Sequence, residues 1–185
     1  MDSNGQTCRN AVLEDISSIM KIEHSSFSHA ICEEEKVFVE RIITFSDGFR
    51  VMEFNGEIVG YICSEVWDKG NAASEEYFTL GHSIKSQHKP NGSKLYISSM
   101  GILPEYRGKG FGKLLFNEFI KYITAAFVNI DSVILIVSEK WINARKIYKE
   151  NKFKEIHVLQ DFFKYKGEKL RCEDGIVMRR SIHRI

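Results

Sequence analysis

The residues best suited to chemistry lie in a glycine-rich segment, residues 107–113, which reads Arg-Gly-Lys-Gly-Phe-Gly-Lys. It separates an apolar run that stops at Pro104 from an amphipathic run. Glycine lets the backbone turn freely and brings its N–H groups close to a ligand. The free N–H groups that begin the following helix, with the helix dipole, favour an anion at the same place. We therefore predict a phosphate site at this turn, to which the cations Arg107, Lys109 and Lys113 add complementary charge.

Three phosphate-binding loops, and a plain tight turn, compete to explain the segment. A nucleoside-triphosphate loop needs G-x-x-x-x-G-K-S/T, but Leu114 follows Gly112-Lys113 and Arg107 stands five positions before Gly112. A dinucleotide loop needs G-x-G-x-x-G, and its last position is Lys113 here. The pattern that remains is Arg-x-x-Gly-x-Gly, with Arg107, Gly110 and Gly112.

The remaining pattern resembles the pyrophosphate loop Arg/Gln-x-x-Gly-x-Gly/Ala of the acetyl-CoA-dependent N-acetyltransferases of the GNAT superfamily. The resemblance implies that acetyl-CoA is the cosubstrate and that its pyrophosphate lies on the N–H groups of the turn. It also implies that pantetheine pairs with the edge of the preceding strand, where the N–H of Ile102 is the expected donor. A glycine at 101 permits close approach of a ligand, or marks a bulge. The cofactor-binding residues predicted in this way are Met100, Gly101, Ile102, Arg107, Gly108, Lys109, Gly110, Phe111, Gly112, Lys113 and Asn143.

A second signature of the superfamily is a helix that reads Asn-x-x-Ala-x-x-Leu/Ile-Tyr-x-x-x-Gly-Phe. Trp141 stands at the Asn position and Lys152 at the Gly position, while Asn143 is displaced by two as a pantetheine or helix-capping contact. The resemblance implies that Tyr148 protonates the departing thiolate; the alternative is a core tyrosine whose hydroxyl binds backbone. The positions that match the signature are Ala144, Ile147, Tyr148 and Phe153.

The general base is left open by the sequence. Some relatives place a Glu or His on the strand before the loop, at positions held here by Tyr96 and Ser98. A strong base matters less for an α-amine, whose pKa is about 7.7–8.0, than for lysine at about 10.4. The proton routes that remain are a water chain along Ser98 and Ser99, or the side chains of Glu65, His82 and His88.

Composition bounds the class of protein. The chain has 185 residues, 43% of them hydrophobic, with a net charge of +1, which suits a single N-acetyltransferase domain over 1–185. We expect no nucleic-acid partner, because a basic domain is absent. The spacing of the Cys and His residues gives neither a C-x-x-C pair nor a zinc motif, so no metal is expected. Without a leader peptide or a run long enough for a membrane span, we expect a cytoplasmic protein, a monomer or a homodimer, with residues 1–7 disordered.

The elements that position these residues follow the order β-α-α-β-β-β-α-β-α-β-β. We predict an α/β (α+β) mixed sheet with helices on both faces, and the resemblance implies the GNAT fold with its mostly antiparallel, splayed sheet. The predicted strands are 8–12, 50–54, 58–66, 95–103, 132–137, 153–159 and 175–180. The predicted helices are 13–27, 33–45, 111–123 and a helix to 151 that Ser138 caps, with a short helix at 75–80 and a charged loop at 161–174.

The resemblance implies an N-acetyltransferase in which a primary amine attacks the thioester directly. Residues 162–178 resemble the ending of protein N-terminal acetyltransferases, including those that act on a ribosomal-protein alanine. Residues 64–69, with the polar insert that follows, resemble arylalkylamine N-acetyltransferases. The acceptor is thus a peptide N-terminus or a small amine, selected by the irregular segments 27–34, 68–91 and 161–174. A non-catalytic acyl-CoA sensor is the alternative of another class, because no base is evident.

Overall fold

A seven-stranded sheet forms the centre of the molecule in a computed structural model that describes residues 5–68, 75–165 and 171–182. Its strand order is β1-β2-β3-β4-β5-β7-β6. Every pairing is antiparallel except that of β4 with β5. The mixed, mostly antiparallel sheet is therefore confirmed. The strands are β1 Gln6–Asn10, β2 Phe49–Phe54, β3 Glu57–Trp67, β4 Lys94–Ile102, β5 Ser132–Ser138, β6 Lys154–Tyr165 and β7 Arg171–Ser181.

Helices cover both faces of the sheet, as predicted. Alternate side chains of a strand point to opposite faces, and β3 shows this: Tyr61 packs in a cluster with α1 and α2, whereas Ile62 packs with α4. Ile147 and Tyr148 on α5 join the α4 face. The helices are α1 Ile16–Ser26, α2 Glu35–Thr44, α3 Ile84–Gln87, α4 Phe111–Ala126 and α5 Ile142–Glu150.

The β2–β3 hairpin follows the turn chemistry of its two central residues. Asn55 has a φ of 50° and Gly56 a φ of 83°. A two-residue hairpin turn with both φ angles positive is the type I′ geometry that Asn-Gly favours. The predicted hairpin is confirmed, and its turn sets the register of β2 against β3.

β4 leaves β5 halfway along its length. The two strands pair in parallel only from Lys94 to Ile97 on the β4 side, while β4 stays paired with β3 as far as Ile102. A register shift on β3 between Cys63 and Ser64 accompanies the separation. The splayed sheet that the resemblance implied is thus present, and its gap begins at Ser98.

The fifth helix begins later than predicted. Ser138 ends β5 instead of capping a helix, and α5 starts at Ile142. The reason is a contact with a distant strand, because the Ser138 hydroxyl donates to Glu173 on β7 at 2.5 Å and accepts the Lys140 N–H at 3.1 Å. Its oxygen therefore fixes the turn between strand and helix.

Both ends of the sheet are longer than the sequence indicated. Gln6 and Thr7 belong to β1, although residues 1–7 were expected to be disordered; residues 1–4 lie outside the described part of the chain. The prediction of a charged loop at 161–174 was wrong over most of this range, because β6 and β7 pair from Tyr165↔Arg171 inward. Strand pairing here overrides the polar composition.

The polar excursion 68–91 is only partly described, since residues 69–74 lie outside the described ranges. The short helix predicted at 75–80 is a 3-10 turn, Glu75–Phe78, and α3 follows it. No helix within the described ranges is long and apolar enough to cross a membrane. Within those same ranges, no group of three or more Asp, Glu, His or Cys side chains is arranged to hold a metal ion.

Candidate active site

A cavity of about 430 Å³ opens where β4 separates from β5. One wall is the splayed half of β4, residues 98–102, and the opposite wall is the end of β5, residues 135–137. The lining also includes the end of α1, the start of α5, and residues of the segment before α2, of β6 and of the glycine-rich turn. Met100, Gly101, Ile102, Asn143 and Tyr148, all predicted to take part in the site, share this one cavity.

The glycine-rich turn lies between β4 and α4 and needs glycine at two positions. Gly108 has a φ of 72° and Gly110 a φ of 89°, a left-handed geometry that costs other residues about 1–2 kcal/mol. A Cβ at Gly112 would instead make ordinary contact, 3.6 Å from Ile102 Cγ1. Gly110 precedes α4 without a side-chain cap, so the first N–H groups of that helix have no intrahelical partner.

The three cations of the turn all have protein partners. Lys113 Nζ lies 2.9 Å from the Glu150 carboxylate, and Lys109 Nζ lies 5.8 Å from the centre of the Tyr106 ring. Arg107 donates from Nε to the Ile102 carbonyl oxygen at 2.8 Å. The role of these three charges in binding phosphate stays a prediction. The hydrogen bonds of Arg107 also make it a brace, a side chain that ties the turn to neighbouring elements.

The second half of this brace reaches α1. Arg107 Nη2 donates to the Ser25 carbonyl oxygen at 2.9 Å and to Ser26 Oγ at 3.1 Å. One guanidinium therefore joins the turn, the end of β4 and the last residues of α1. A fork of donors of this kind suits arginine and not lysine.

Gly101 is small because of α1. A Cβ built there would lie 2.9 Å from Ile22 Cγ2 and 3.0 Å from both Ser26 Oγ and Tyr61 Cε1. From the sequence, ligand approach or a bulge is the expected reason for this glycine. The atoms that a side chain would meet belong to the protein, so the glycine lets α1 pack closely on the splayed strand.

Tyr148 borders the cavity. Its ring packs against Phe116 and Phe153, with centroids 5.3 and 6.0 Å away. Among the described residues none forms a hydrogen bond with the hydroxyl, so the core alternative, a hydroxyl bound to backbone, is not what is seen. Burial raises the pKa of Tyr148 to about 12, which keeps it a proton donor. Asn143 borders the same cavity, and no side chain caps α5.

Two carboxyl groups that the sequence analysis did not single out also border the cavity. Glu23, on α1, is 1% exposed, and Glu33 is 8% exposed. The Tyr61 hydroxyl donates to one oxygen of Glu23, and the Glu33 N–H donates to the other at 3.0 Å. Glu33 itself forms a buried ion pair with Arg41, whose Nη2 lies 2.7 Å from Glu33 Oε1.

The sequence carried a signal for Glu23. Ile16 and Ile19 begin an apolar stripe on α1 at helical spacing, and position 23 falls on the same stripe. A carboxylate on an apolar stripe must be paired or shifted in pKa when it is buried. Burial is the largest influence on Glu23 and raises its pKa to about 7.

Several proton acceptors considered from the sequence lie away from the cavity. Tyr96 is buried and stacks on Trp67 with centroids 4.2 Å apart. His82 Nε2 pairs with the buried Glu65 carboxylate at 2.7 Å, and His88 Nδ1 accepts the Val66 N–H at 3.1 Å. None of these groups lines the cavity, whereas Ser98 and Ser99 do.

An aromatic row crosses the cavity between α1, α5 and β6. The Trp141 ring lies 5.4 Å from the Phe27 ring and 5.1 Å from the Phe163 ring. All three residues border the cavity. Trp141 stands where the signature has asparagine. The cavity is therefore lined at this position by an aromatic ring instead of a polar amide.

Comparison with known proteins identifies the family. The chain belongs to the Acetyltransferase (GNAT) family, whose model matches residues 13–153. It is 29% identical over 156 residues to an N-alpha-acetyltransferase of Sulfurisphaera tokodaii, with 84% of each chain covered. These findings confirm the predicted family and enzyme class: the chain is an acyltransferase, an N-acetyltransferase of the GNAT type.

Solved structures agree on the fold. The chain is similar to the ribosomal-protein-S18-alanine N-acetyltransferase from Escherichia coli, with a TM-score of 0.69, 17% identity, and 97% of this chain and 96% of that one covered. It is also similar to Arabidopsis thaliana Naa50 in complex with the bisubstrate analogue CoA-Ac-MVNAL. That match has a TM-score of 0.70, 18% identity, and coverage of 96% and 99%. The predicted GNAT fold is confirmed.

Proposed function

We propose that this N-acetyltransferase transfers the acetyl group of acetyl-CoA to the N-terminal α-amine of a protein or peptide. The proposal rests on the cavity, whose lining joins the splayed strand and Tyr148 to the buried carboxyl groups of Glu23 and Glu33. Carboxyl groups in such a lining suit an amine, which arrives as an ammonium ion. The likeness to an N-alpha-acetyltransferase supports this acceptor class.

An α-amine also fits the modest proton-accepting power of the site. With a pKa of about 7.7–8.0, roughly a tenth of such amines are neutral at pH 7, against well under a thousandth for lysine at about 10.4. Among the residues that the structure describes, those lining the cavity include carboxyl and hydroxyl groups and no histidine. Side chains of this kind favour an α-amine as the acceptor, because it needs a weaker base than the lysine side chain does.

Acetyl-CoA is expected to be held by the turn and the splayed strand. The N–H groups of residues 108–112 face the pyrophosphate in this proposal, because glycine geometry and an uncapped helix start leave them available. Pantetheine lies along Met100, Gly101 and Ile102, which β5 leaves unpaired. A strand N–H, that of Ile102, polarises the thioester carbonyl.

Tyr148 is the proposed acid for the leaving group. The neutral amine attacks the thioester carbon, and the C–S bond breaks as the Tyr148 hydroxyl gives its proton to the thiolate. The tyrosinate then recovers a proton from the nitrogen that has formed the amide bond. Holding amine and thioester together makes the step effectively unimolecular.

The cysteines are not nucleophiles in this scheme. Burial raises the pKa of the Cys63 thiol and of the Cys32 thiol to about 11 each. A thiol attacks as its thiolate, so both are poorly activated at neutral pH. Neither borders the cavity, and direct transfer is the simpler path.

An acceptor screen tests the proposal. Purified protein and acetyl-CoA are assayed for thiol release with peptides of varied first residue, the same peptides blocked at the α-amine, arylalkylamines and polyamines. We expect release with free peptides and none with blocked ones. Preference for a small amine would reassign the acceptor, and calorimetric binding of CoA without turnover would indicate a sensor.

A further inference from the structure

A chain of hydroxyl groups connects the cavity to the buried Glu23. Ser99, on the splayed part of β4, borders the cavity, and its Oγ lies 2.7 Å from the Tyr61 hydroxyl oxygen. Tyr61, which is fully buried on β3, donates in turn to the Glu23 carboxyl. The three groups come from β4, β3 and α1. They form an unbroken path from the splayed strand to an acidic side chain.

The direction of the protons in this path is fixed by counting hydrogens. A hydroxyl has one hydrogen to donate. Tyr61 gives its hydrogen to Glu23, so the hydrogen between Ser99 and Tyr61 must belong to Ser99. The Ser99 oxygen then keeps its lone pairs for a donor from outside the path. An ammonium ion in the cavity is a donor of the required kind.

We propose that Glu23 is the terminal proton acceptor of the reaction and that Ser99 and Tyr61 conduct the proton to it. The inference rests on the proposed function, because it requires an amine acceptor in this cavity. The ammonium N–H bond breaks as its proton passes to Ser99 Oγ. The Ser99 proton moves to Tyr61, and the Tyr61 proton moves to Glu23. The amine becomes neutral and the carboxylate becomes a carboxylic acid, which releases its proton to water after the products leave.

The surroundings of Glu23 suit this task. The charged and titratable groups that face it are Tyr61 and Cys63 on β3, Cys32 and Glu33 in the segment before α2, and Arg41 on α2. Burial outweighs their combined effect and raises the pKa of Glu23 to about 7, the range in which a general base is most effective. Burial also raises the pKa of Tyr61 well above its ordinary value. Tyr61 therefore stays protonated and serves only as a conductor.

A purely structural role for Glu23 makes a different prediction. One Glu23 oxygen accepts the Glu33 N–H, so the side chain also ties α1 to the segment before α2. If that were its whole function, Glu23→Gln would lower stability and leave the pH dependence of turnover unchanged. A base shapes the pH profile of kcat instead.

The test measures kcat against pH between about 5.5 and 9.5, with saturating acetyl-CoA and the best amine found in the screen. We expect Glu23→Gln, Tyr61→Phe and Ser99→Ala each to lower kcat about a hundredfold, in the range of general-base catalysis. The acidic limb of the wild-type profile near pH 7 should disappear in Glu23→Gln. Calorimetric affinity for acetyl-CoA should stay within about threefold of wild type, a change under 1 kcal/mol.

Matched controls separate the path from general damage. Tyr122→Phe also removes a hydroxyl that donates to a carboxylate, that of Asp47 at 2.6 Å, and Tyr122 does not line the cavity. Ser93→Ala removes a buried serine hydroxyl outside the cavity. Both should keep the wild-type profile. If Glu23→Gln does not fold, Tyr61→Phe and Ser99→Ala still decide the question.

Different results would contradict the proposed acceptor and the proposed proton path. A wild type that acetylates small amines but no peptide contradicts the proposed acceptor, and the path is then tested with the small amine. A wild type active on any amine, with all three path variants within about threefold of its kcat and the same acidic limb, overturns the path alone. A wild type that acetylates no amine contradicts both.

Discussion

Arg107 and Ile102 are joined by a hydrogen bond from the guanidinium Nε to the backbone carbonyl oxygen, 2.8 Å away. The bond ties the glycine-rich turn to the end of the splayed strand. The turn and the splayed strand are the two places where acetyl-CoA is expected to bind, so this bond fixes their relative geometry. The other arm of the guanidinium reaches Ser25 and Ser26 on α1 and holds the side chain in place.

Replacing Arg107 by lysine should separate bracing from charge. Lysine keeps the positive charge but cannot span both elements with a planar fork. We expect Arg107→Lys and Arg107→Ala to weaken acetyl-CoA binding alike, about tenfold by calorimetry, and to lower the free energy of unfolding by about 1 kcal/mol. If lysine restores wild-type affinity, the residue acts as a phosphate ligand by charge.

The glycines of the turn offer a matched pair. Gly110→Ala places a side chain at a φ of 89°, whereas Gly112→Ala adds a methyl with room around it. We expect the first to weaken acetyl-CoA binding about tenfold, equivalent to the 1–2 kcal/mol cost of the left-handed geometry. The second should change affinity less than threefold. Equal effects from the two substitutions would argue against the turn as the phosphate site.

Removing the Tyr148 hydroxyl should affect chemistry alone. The hydroxyl has no hydrogen-bond partner among the described residues, so Tyr148→Phe should leave the thermal midpoint and acetyl-CoA affinity nearly unchanged. Turnover should fall about a hundredfold or more if it is the general acid. Since its pKa is raised to about 12, its ionisation should cause no loss of wild-type turnover below about pH 11. An unchanged kcat in the variant would make Tyr148 a packing residue.

The buried pair of His82 with Glu65 predicts a pH dependence of stability. The hydrogen bond and the charge of Glu65 raise the pKa of His82 despite the opposing effect of burial, which is the largest single influence. A raised folded-state pKa contributes stability that is complete below the unfolded value of about 6.5 and is lost as pH rises through the folded value.

Urea unfolding at pH 5.5 and pH 9, both chosen around the histidine range, measures this contribution. The free energy of unfolding of the wild type should fall more over this interval than that of His82→Gln. Glu23 also titrates in the folded state, so only the difference between the two proteins is assigned to His82. If the free energy of unfolding falls equally in the two proteins, the His82–Glu65 pair does not stabilise the segment that contains Leu80, a residue of the cavity lining.

Local signals predicted the parts of this fold that depend on local chemistry. Asn55-Gly56 specified its hairpin, and the spacing of Arg107, Gly110 and Gly112 located a turn whose two left-handed glycines the structure shows. Tyr148 was placed by a helical signature and does border the cavity.

The hydrogen-bonded path at the acidic end of the cavity could not be predicted, because it is made by contacts between distant residues. Tyr61 lies 38 residues from Glu23 and 38 residues from Ser99. Ser99 and Tyr61 look ordinary in their own strands, and the apolar stripe of α1 indicates that Glu23 is buried without indicating its partners. The bracing role of Arg107 was hidden for the same reason, since Ser26 is 81 positions away. Ser138 was predicted to cap a helix, but its hydroxyl donates to Glu173 on β7 instead, a contact that the local sequence does not indicate.

The most direct test of the central claim uses one peptide that carries both a free N-terminal α-amine and a lysine. The peptide is incubated with acetyl-CoA and the purified protein, and the modified nitrogen is located by fragment mass spectrometry. The account predicts a single acetyl group on the α-nitrogen, with the lysine unmodified. Acetylation of the lysine side chain alone, or of neither nitrogen, would contradict it.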